Sequence, residues 1–325
     1  MTSVLNPPWL WVVRPQDEQS QRWHETLTHI LPSDAVTWVY SRMLHPVDFT
    51  LLHPPEGFFR EGIHLRWLFL ASPNVALYTA QALKKWLKQY TPEKLQPPTR
   101  YPFQVACIGK STAQQWQACY AKEPSFSTWI SPEAWYPEPT ARLSQGGWLQ
   151  AWAKAQRDAY ASLGAATSSI MLWLPRGDLA RPETLQTLQD LAQSHGYLPP
   201  VTTMLYTSTP TPLPTLLANH QKAWCIMEPS LPWRVVWLTS PESAKAWYQF
   251  EQAMDASWAT TNVRHAAIPQ TYYLCMGHTT YQTWRSLGGG AKSCHSHVLC
   301  PEVSGLSISE TLAWLLQRLQ AYYPL

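Results

Sequence analysis

Short apolar runs alternate along the chain with polar stretches in which apolar residues recur every three or four positions. This is the pattern of strands alternating with amphipathic helices. Leu10 to Val13 reads as a strand, and Trp23, Leu27 and Ile30 then fall on one helical face. Val36 to Tyr40 and Trp67 to Ala71 read as further strands, the second followed by a helix to about Leu87. Val105 to Ile108 and a helix from Thr112 complete the first half. The second half repeats the alternation with Ile170 to Leu174, a helix from Pro182 to about Ser194, Thr202 to Tyr206 and Val235 to Leu238. Strands separated by helices predict α/β units with parallel sheets.

The halves superimpose by motif and spacing. Leu70-Ala71-Ser72-Pro73-Asn74 is answered by Leu238-Thr239-Ser240-Pro241-Glu242, and Gly109-Lys110-Ser111-Thr112 by Gly277-His278-Thr279-Thr280. Ser72 precedes Gly109 by 37 residues, and Ser240 precedes Gly277 by the same 37, which indicates an internal duplication. Ser131-Pro132-Glu133 and Cys300-Pro301-Glu302 follow those glycines at nearly equal distances, and each is expected to precede a helix. Arg14-Pro15 faces Arg176-Gly177.

Composition narrows the classes. With 325 residues, 45% hydrophobic and 14% charged, the chain is long enough for two domains with their own cores. Its 24 Lys and Arg are interspersed with 21 Asp and Glu, so no basic run points to nucleic acid. No apolar run approaches the roughly 18 residues of a membrane span, and the opening apolar stretch, broken by Pro7 and Pro8, predicts no signal peptide. Six cysteines without framework spacing fit reduced thiols, hence an expected cytoplasmic location. The 19 Trp lie singly on helix and strand patterns and form no stacking platform for bases.

Chemistry concentrates in the turns. At a strand-to-helix junction a Ser hydroxyl caps the helix while Pro takes the first turn, leaving free amides that favour a carboxylate or phosphate. Thr112 and Thr280 are candidate caps or hydroxyl donors in the Gly-x-x-Thr turns. Capping by itself also explains these residue choices. Gly109-Lys110-Ser111 lacks the glycine five positions earlier that a P-loop needs, since Gln104 stands there. Gly288-Gly289-Gly290 before Lys292 reads as a helix stop. Cys294, His295, His297 and Cys300 have no second ligand pair at zinc spacing, so no metal site is expected. Gly-x-Ser-x-Gly is absent.

In this order the motifs resemble the uroporphyrinogen-III synthase family over nearly the whole chain. They are Val12-Val13-Arg14-Pro15, the turns at Ser72 and Ser240, Gly109 to Ala113, Gly277 to Tyr281, Arg176-Gly177 and Leu205-Tyr206-Thr207. Tyr281 stands where the family has alanine and Ala71 where it has threonine, and Ser144-Gln145-Gly146 replaces a Ser-Glu-Gly. The resemblance implies two flavodoxin-like, internally duplicated domains joined by a two-stranded β linker. Residues 1–41 with 210–325 would form a discontinuous domain, residues 49–197 a contiguous one, and 42–48 and 198–209 the linker strands.

It further implies a cofactor-free lyase that cyclises hydroxymethylbilane, inverting ring D and losing water. A monomer would receive this substrate from porphobilinogen deaminase. Tyr206 would be the proton donor, because a phenol stays protonated at neutral pH. Arg14, Ser72, Lys110, Thr112, Arg176, Ser240 and Thr280 would contact the substrate, whose many carboxylates call for dispersed anion sites. The competing expectations are a catalytically silent two-lobed tetrapyrrole or polyanion binder and a flavodoxin-type flavin carrier, which would need a Ser/Thr-rich phosphate loop after the first strand.

Overall fold

The computed structural model describes residues 9–55, 63, 65–89, 103–137, 147–161, 170–225, 233–261, 270–289, 296–301 and 306–322. In chain order the elements are β1 (Trp9–Gln16), α1 (Ser20–Ile30), β2 (Val36–Pro46), β3 (Leu65–Leu70), α2 (Pro73–Gln89), β4 (Phe103–Cys107) and α3 (Lys110–Tyr120). There follow β5 (Ile130–Trp135), α4 (Gly147–Ala161), β6 (Ile170–Gly177), α5 (Pro182–His195), β7 (Val201–Pro210) and α6 (Leu213–Cys225). The last are β8 (Trp233–Leu238), α7 (Pro241–Thr261), β9 (Gln270–Cys275), α8 (His278–Ser286), β10 (Ser296–Leu299) and α9 (Ile308–Tyr322). The sheet is mostly parallel, as the alternation of strands and helices predicts. No helix among the described residues is long and apolar enough to cross a membrane.

The chain divides into two compact units, Met1–Leu44 with Thr209–Leu325, and His45–Ser208. It passes from one to the other within β2 and again within β7. In the discontinuous unit the strand order is β2-β1-β8-β9-β10, every pairing parallel. In the contiguous unit it is β7-β6-β3-β4-β5, again all parallel. Counting β6 and β7 first in the contiguous unit, both orders read 2-1-3-4-5.

Each sheet is covered on both faces, which is why its strands are apolar nearly throughout. Side chains alternate across a strand. In the discontinuous unit Leu10, Val12, Val235 and Trp237 pack with α1 and α9, whereas Trp11, Val13, Val236 and Leu238 pack with α6, α7 and α8. In the contiguous unit Leu68, Leu70, Val105 and Cys107 pack with α2 and α3, and Trp67, Phe69, Ala106 and Leu172 with α4 and α5. The tryptophans are largely core material: Trp11, Trp86, Trp116, Trp148, Trp152, Trp173, Trp237, Trp247 and Trp284 are fully buried.

Ser131-Pro132-Glu133 lies within β5, an edge strand of its unit, where a proline removes no ladder donor that a partner would need, and the next described element is helix α4, as expected. One expectation needs correction. Helix α3 begins at Lys110, two residues before Thr112, with extended Gly109 as its N-cap. The helix stop after α8 is present: Gly288 has φ of +81°, and the Gly289 amide donates to the Trp284 carbonyl at 2.9 Å. Gly290, Lys292, Cys294, His295, Glu302 and the Ser144-Gln145-Gly146 stretch lie outside the described residues.

Candidate functional site

The turns beyond the carboxyl ends of the strands carry the polar groups, within each unit. In the contiguous unit β3 ends at Leu70, Pro73 opens α2, and the Ser72 hydroxyl caps it by accepting from the Val75 amide at 3.2 Å. The same geometry recurs 168 residues later: Pro241 opens α7, and the Ser240 hydroxyl accepts from the Ser243 amide at 3.1 Å. The amides of Ile108 and Met276 donate to the carbonyls of Leu70 and Leu238, and those of Ala113 and Tyr281 to Gly109 and Gly277. The duplicated sequence motifs thus have duplicated backbone bonding.

Tyr206 is half-buried on β7, at the end of the contiguous unit's sheet. Its ring lies against Gly177, the last residue of β6, so closely that an added Cβ there would collide with Cε2 and Cζ and come within 2.8 Å of the hydroxyl oxygen. The buried Tyr78 ring of α2 also sits 5.2 Å from it, centroid to centroid. The next turn is tied to the same strand. The Asp178 amide donates to the Tyr206 carbonyl at 3.1 Å, and the Asp178 carboxylate accepts from the Ser208 amide and hydroxyl, both at 3.0 Å. The phenol is therefore held at a defined place by a glycine, an aromatic ring and a braced turn. Half-buried Arg176, one residue before Gly177, and half-buried Lys110 at the start of α3 complete the polar groups of this edge.

The chain matches no protein-family model and no curated protein.

In the discontinuous unit the corresponding edge is built from β1, β2, β8 and β9. Ser240, Ser243 and Ser41 form a chain of hydroxyls, 3.0 Å between the first pair and 3.2 Å between the second, with Ser41 and Ser243 buried. Arg42, buried beside them, points its Nη1 toward Glu242 Oε2 at 3.8 Å. Thr239 donates through its amide and hydroxyl to the Val13 carbonyl, closing β8 onto β1.

Three of the expected substrate contacts look inward. The Arg14 guanidinium is buried in its own turn, 2.6 Å from the Asp17 carboxylate, donating also to the Pro15 carbonyl and stacked over Trp23. Burial pulls its pKa down and Asp17 opposes this, so it remains the charged brace of the β1–α1 turn. Thr280 is buried in the first turn of α8 with its hydroxyl donating to the Met276 carbonyl at 3.2 Å, and neither α3 nor α8 has a side-chain cap. Thr112 is fully buried, and its hydroxyl has no hydrogen-bond partner among the described residues. The expected role of the two threonines as caps is therefore corrected: glycines occupy the cap positions, and helical periodicity turns the third residue of each helix toward the sheet.

Cys107 and Cys275, at equivalent strand ends, offer no nucleophile. Burial pushes the Cys107 thiol up to about 12 and Cys275 in the same direction, so neither is ionised at neutral pH. No group of His, Cys, Asp and Glu among the described residues could hold a metal ion. Sequence reasoning missed Gly177 as the seat of Tyr206, the Asp178–Ser208 brace, Ser41 and Arg42. The Arg176-Gly177 pair was visible, but what presses on Gly177 comes from a neighbouring strand.

Proposed function

We propose that this chain is a uroporphyrinogen-III synthase built from two flavodoxin-like domains. The observation that carries the reading is the seating of Tyr206 on Gly177, in a protein whose two units repeat one strand order and one pair of capped turns. The order 2-1-3-4-5 is the flavodoxin order, and in such sheets ligands bind beyond the carboxyl ends of the strands. A substrate with carboxylates on every pyrrole needs anion sites of the kind that helix starts and nearby cations provide, here at Ser72, Lys110, Arg176 and Ser240.

In this reading the protein binds hydroxymethylbilane folded, with ring D near the hydroxymethyl carbon of ring A, and gains rate from orientation. Tyr206 protonates the departing hydroxyl, which leaves as water as the ring A nitrogen supplies the electron pair and an azafulvene forms. Ring D attacks that carbon through the position already bonded to the ring C bridge, giving a spiro intermediate. The old bridge bond breaks, the bridge carbon rejoins ring D at its free α position, and the proton released there returns to the phenolate. The pyrroles carry the positive charge throughout, so no metal or organic cofactor enters. Arg14 acts in this scheme by holding the β1–α1 turn, and Thr112 and Thr280 by packing.

The test couples the purified protein to porphobilinogen deaminase and porphobilinogen, oxidises the products and separates the uroporphyrin isomers. A dominant type III isomer is expected. Type I alone, the spontaneous closure product, would leave a silent tetrapyrrole-binding protein in place of an enzyme.

A further inference from the structure

We infer that Arg42 and the start of α7 form a carboxylate-binding subsite in the discontinuous unit. Assigning the carboxylate to a tetrapyrrole rests on the proposed function; the site itself rests on geometry.

Arg42 and Tyr206 occupy the same position in their respective units. Strand β1 pairs with β2 as β6 pairs with β7, and both ladders skip a residue at the same place: Arg14 faces Tyr40 and then Pro15 faces Arg42, while Arg176 faces Met204 and then Gly177 faces Tyr206. The backbone repeats this too, since the Thr211 amide donates to Ser41 and the Val47 amide to Leu205, the residues skipped in the two ladders. Where one unit offers a phenol at its sheet edge, the other offers a guanidinium.

Two of that guanidinium's three nitrogens have unused donors among the described residues. Arg42 is 8% exposed, and its Nε and Nη1 are buried without a hydrogen-bond partner among the described residues. Its nearest countercharge, Glu242 Oε2, is 3.8 Å away, beyond hydrogen-bonding range. Glu242 is nearer to Lys245 Nζ, at 2.8 Å, and both side chains are substantially exposed. A buried guanidinium with unused donors is unfavourable unless a planar anion can take them, which a carboxylate does with two parallel bonds. Glu242 is the second residue of α7, so Arg42 is aimed at the start of a 21-residue helix whose Ser240 cap marks its positive end. Glu242 then acts as a loose placeholder that an incoming carboxylate displaces toward Lys245.

Fluorescence titration of the full-length protein with uroporphyrin I, an octacarboxylate, tests this. Arg42→Met should weaken binding by about tenfold or more, with Arg42→Lys intermediate because it keeps the charge without the fork. Glu242→Gln, a change at an exposed side chain, should tighten binding by about twofold to fivefold by removing the competing charge. An Arg42–Glu242 pair that serves folding alone predicts no such opposition, so variants that shift affinity in the same direction, or not at all, overturn the subsite, as does a wild-type protein that fails to bind the porphyrin. Isomer analysis keeps the two ideas apart. Type III product with Arg42-independent binding sinks the subsite and leaves the synthase; opposed affinity shifts without type III product do the reverse.

Discussion

Tyr206 is placed by what Gly177 lacks. Because the ring occupies the space a Cβ would fill, Gly177→Ala must displace the phenol or the end of β6. Under the proposed synthase reading, the expected result is a fall in type III formation comparable to that of Tyr206→Phe, about a hundredfold from the loss of the proposed proton donor, though alanine leaves the hydroxyl intact. Rates for the two variants, measured with the isomer assay, check this; a fully active Tyr206→Phe would remove the phenol from the chemistry. Glu251 is a titrating residue away from these edges. Its carboxyl is enclosed, accepting from Tyr273 Oη at 2.6 Å and Trp247 Nε1 at 2.9 Å, and burial raises its pKa from 4.5 to about 7 against the pull of those donors. A raised carboxyl pKa means that the folded state holds the proton the unfolded chain has released. Its stabilising contribution is thus full below about pH 4.5 and is lost as pH rises to about 7. Melting temperatures between pH 5 and 7.5 should fall more steeply for the native protein than for Glu251→Gln.

Among the elements, α2 and α7 show how a local signal becomes structure. Each begins with proline, which has no amide to leave unpaired, and each is capped by the serine before it. Ser72→Ala and Ser240→Ala should each lower stability by about 0.5–2 kcal/mol, measurable by urea unfolding, because an amide in the first turn loses its acceptor. The Ser240 change should reach further, since its hydroxyl also meets Ser243, which meets Ser41 on β2. The same serine-proline pair at Ser131 plays a different part, because it falls on a β-strand. Edge position and local sequence together decide which reading of such a pair applies, and edge position is a tertiary property.

At the scale of the whole molecule, the chain's route sets which parts can fold alone. His45–Ser208 holds all five strands of its order within one continuous stretch, apart from the last residues of β7. The other unit draws β1 and β2 from the opposite end of the chain, and β1 lies inside its sheet between β2 and β8. A fragment spanning 45–208 should therefore unfold cooperatively in urea with native-like circular dichroism. A fragment of 209–325, with the apolar edge of β8 bared, should not. The alternation of elements, the recurrence of the Ser-Pro and Gly-x-x-Thr motifs at a constant offset and the capped turns were legible in the sequence, because period, proline chemistry and spacing are properties of neighbouring residues. Which residues meet at the sheet edges was not. Gly177 under Tyr206, Arg14 turned into its own loop, the inward threonines and the buried Arg42 beside Glu242 all depend on strand register and helix phase, and these are set by burying both faces of each sheet at once. Sequence by itself determined the repeated framework; tertiary packing decided which of its polar side chains remain available for chemistry.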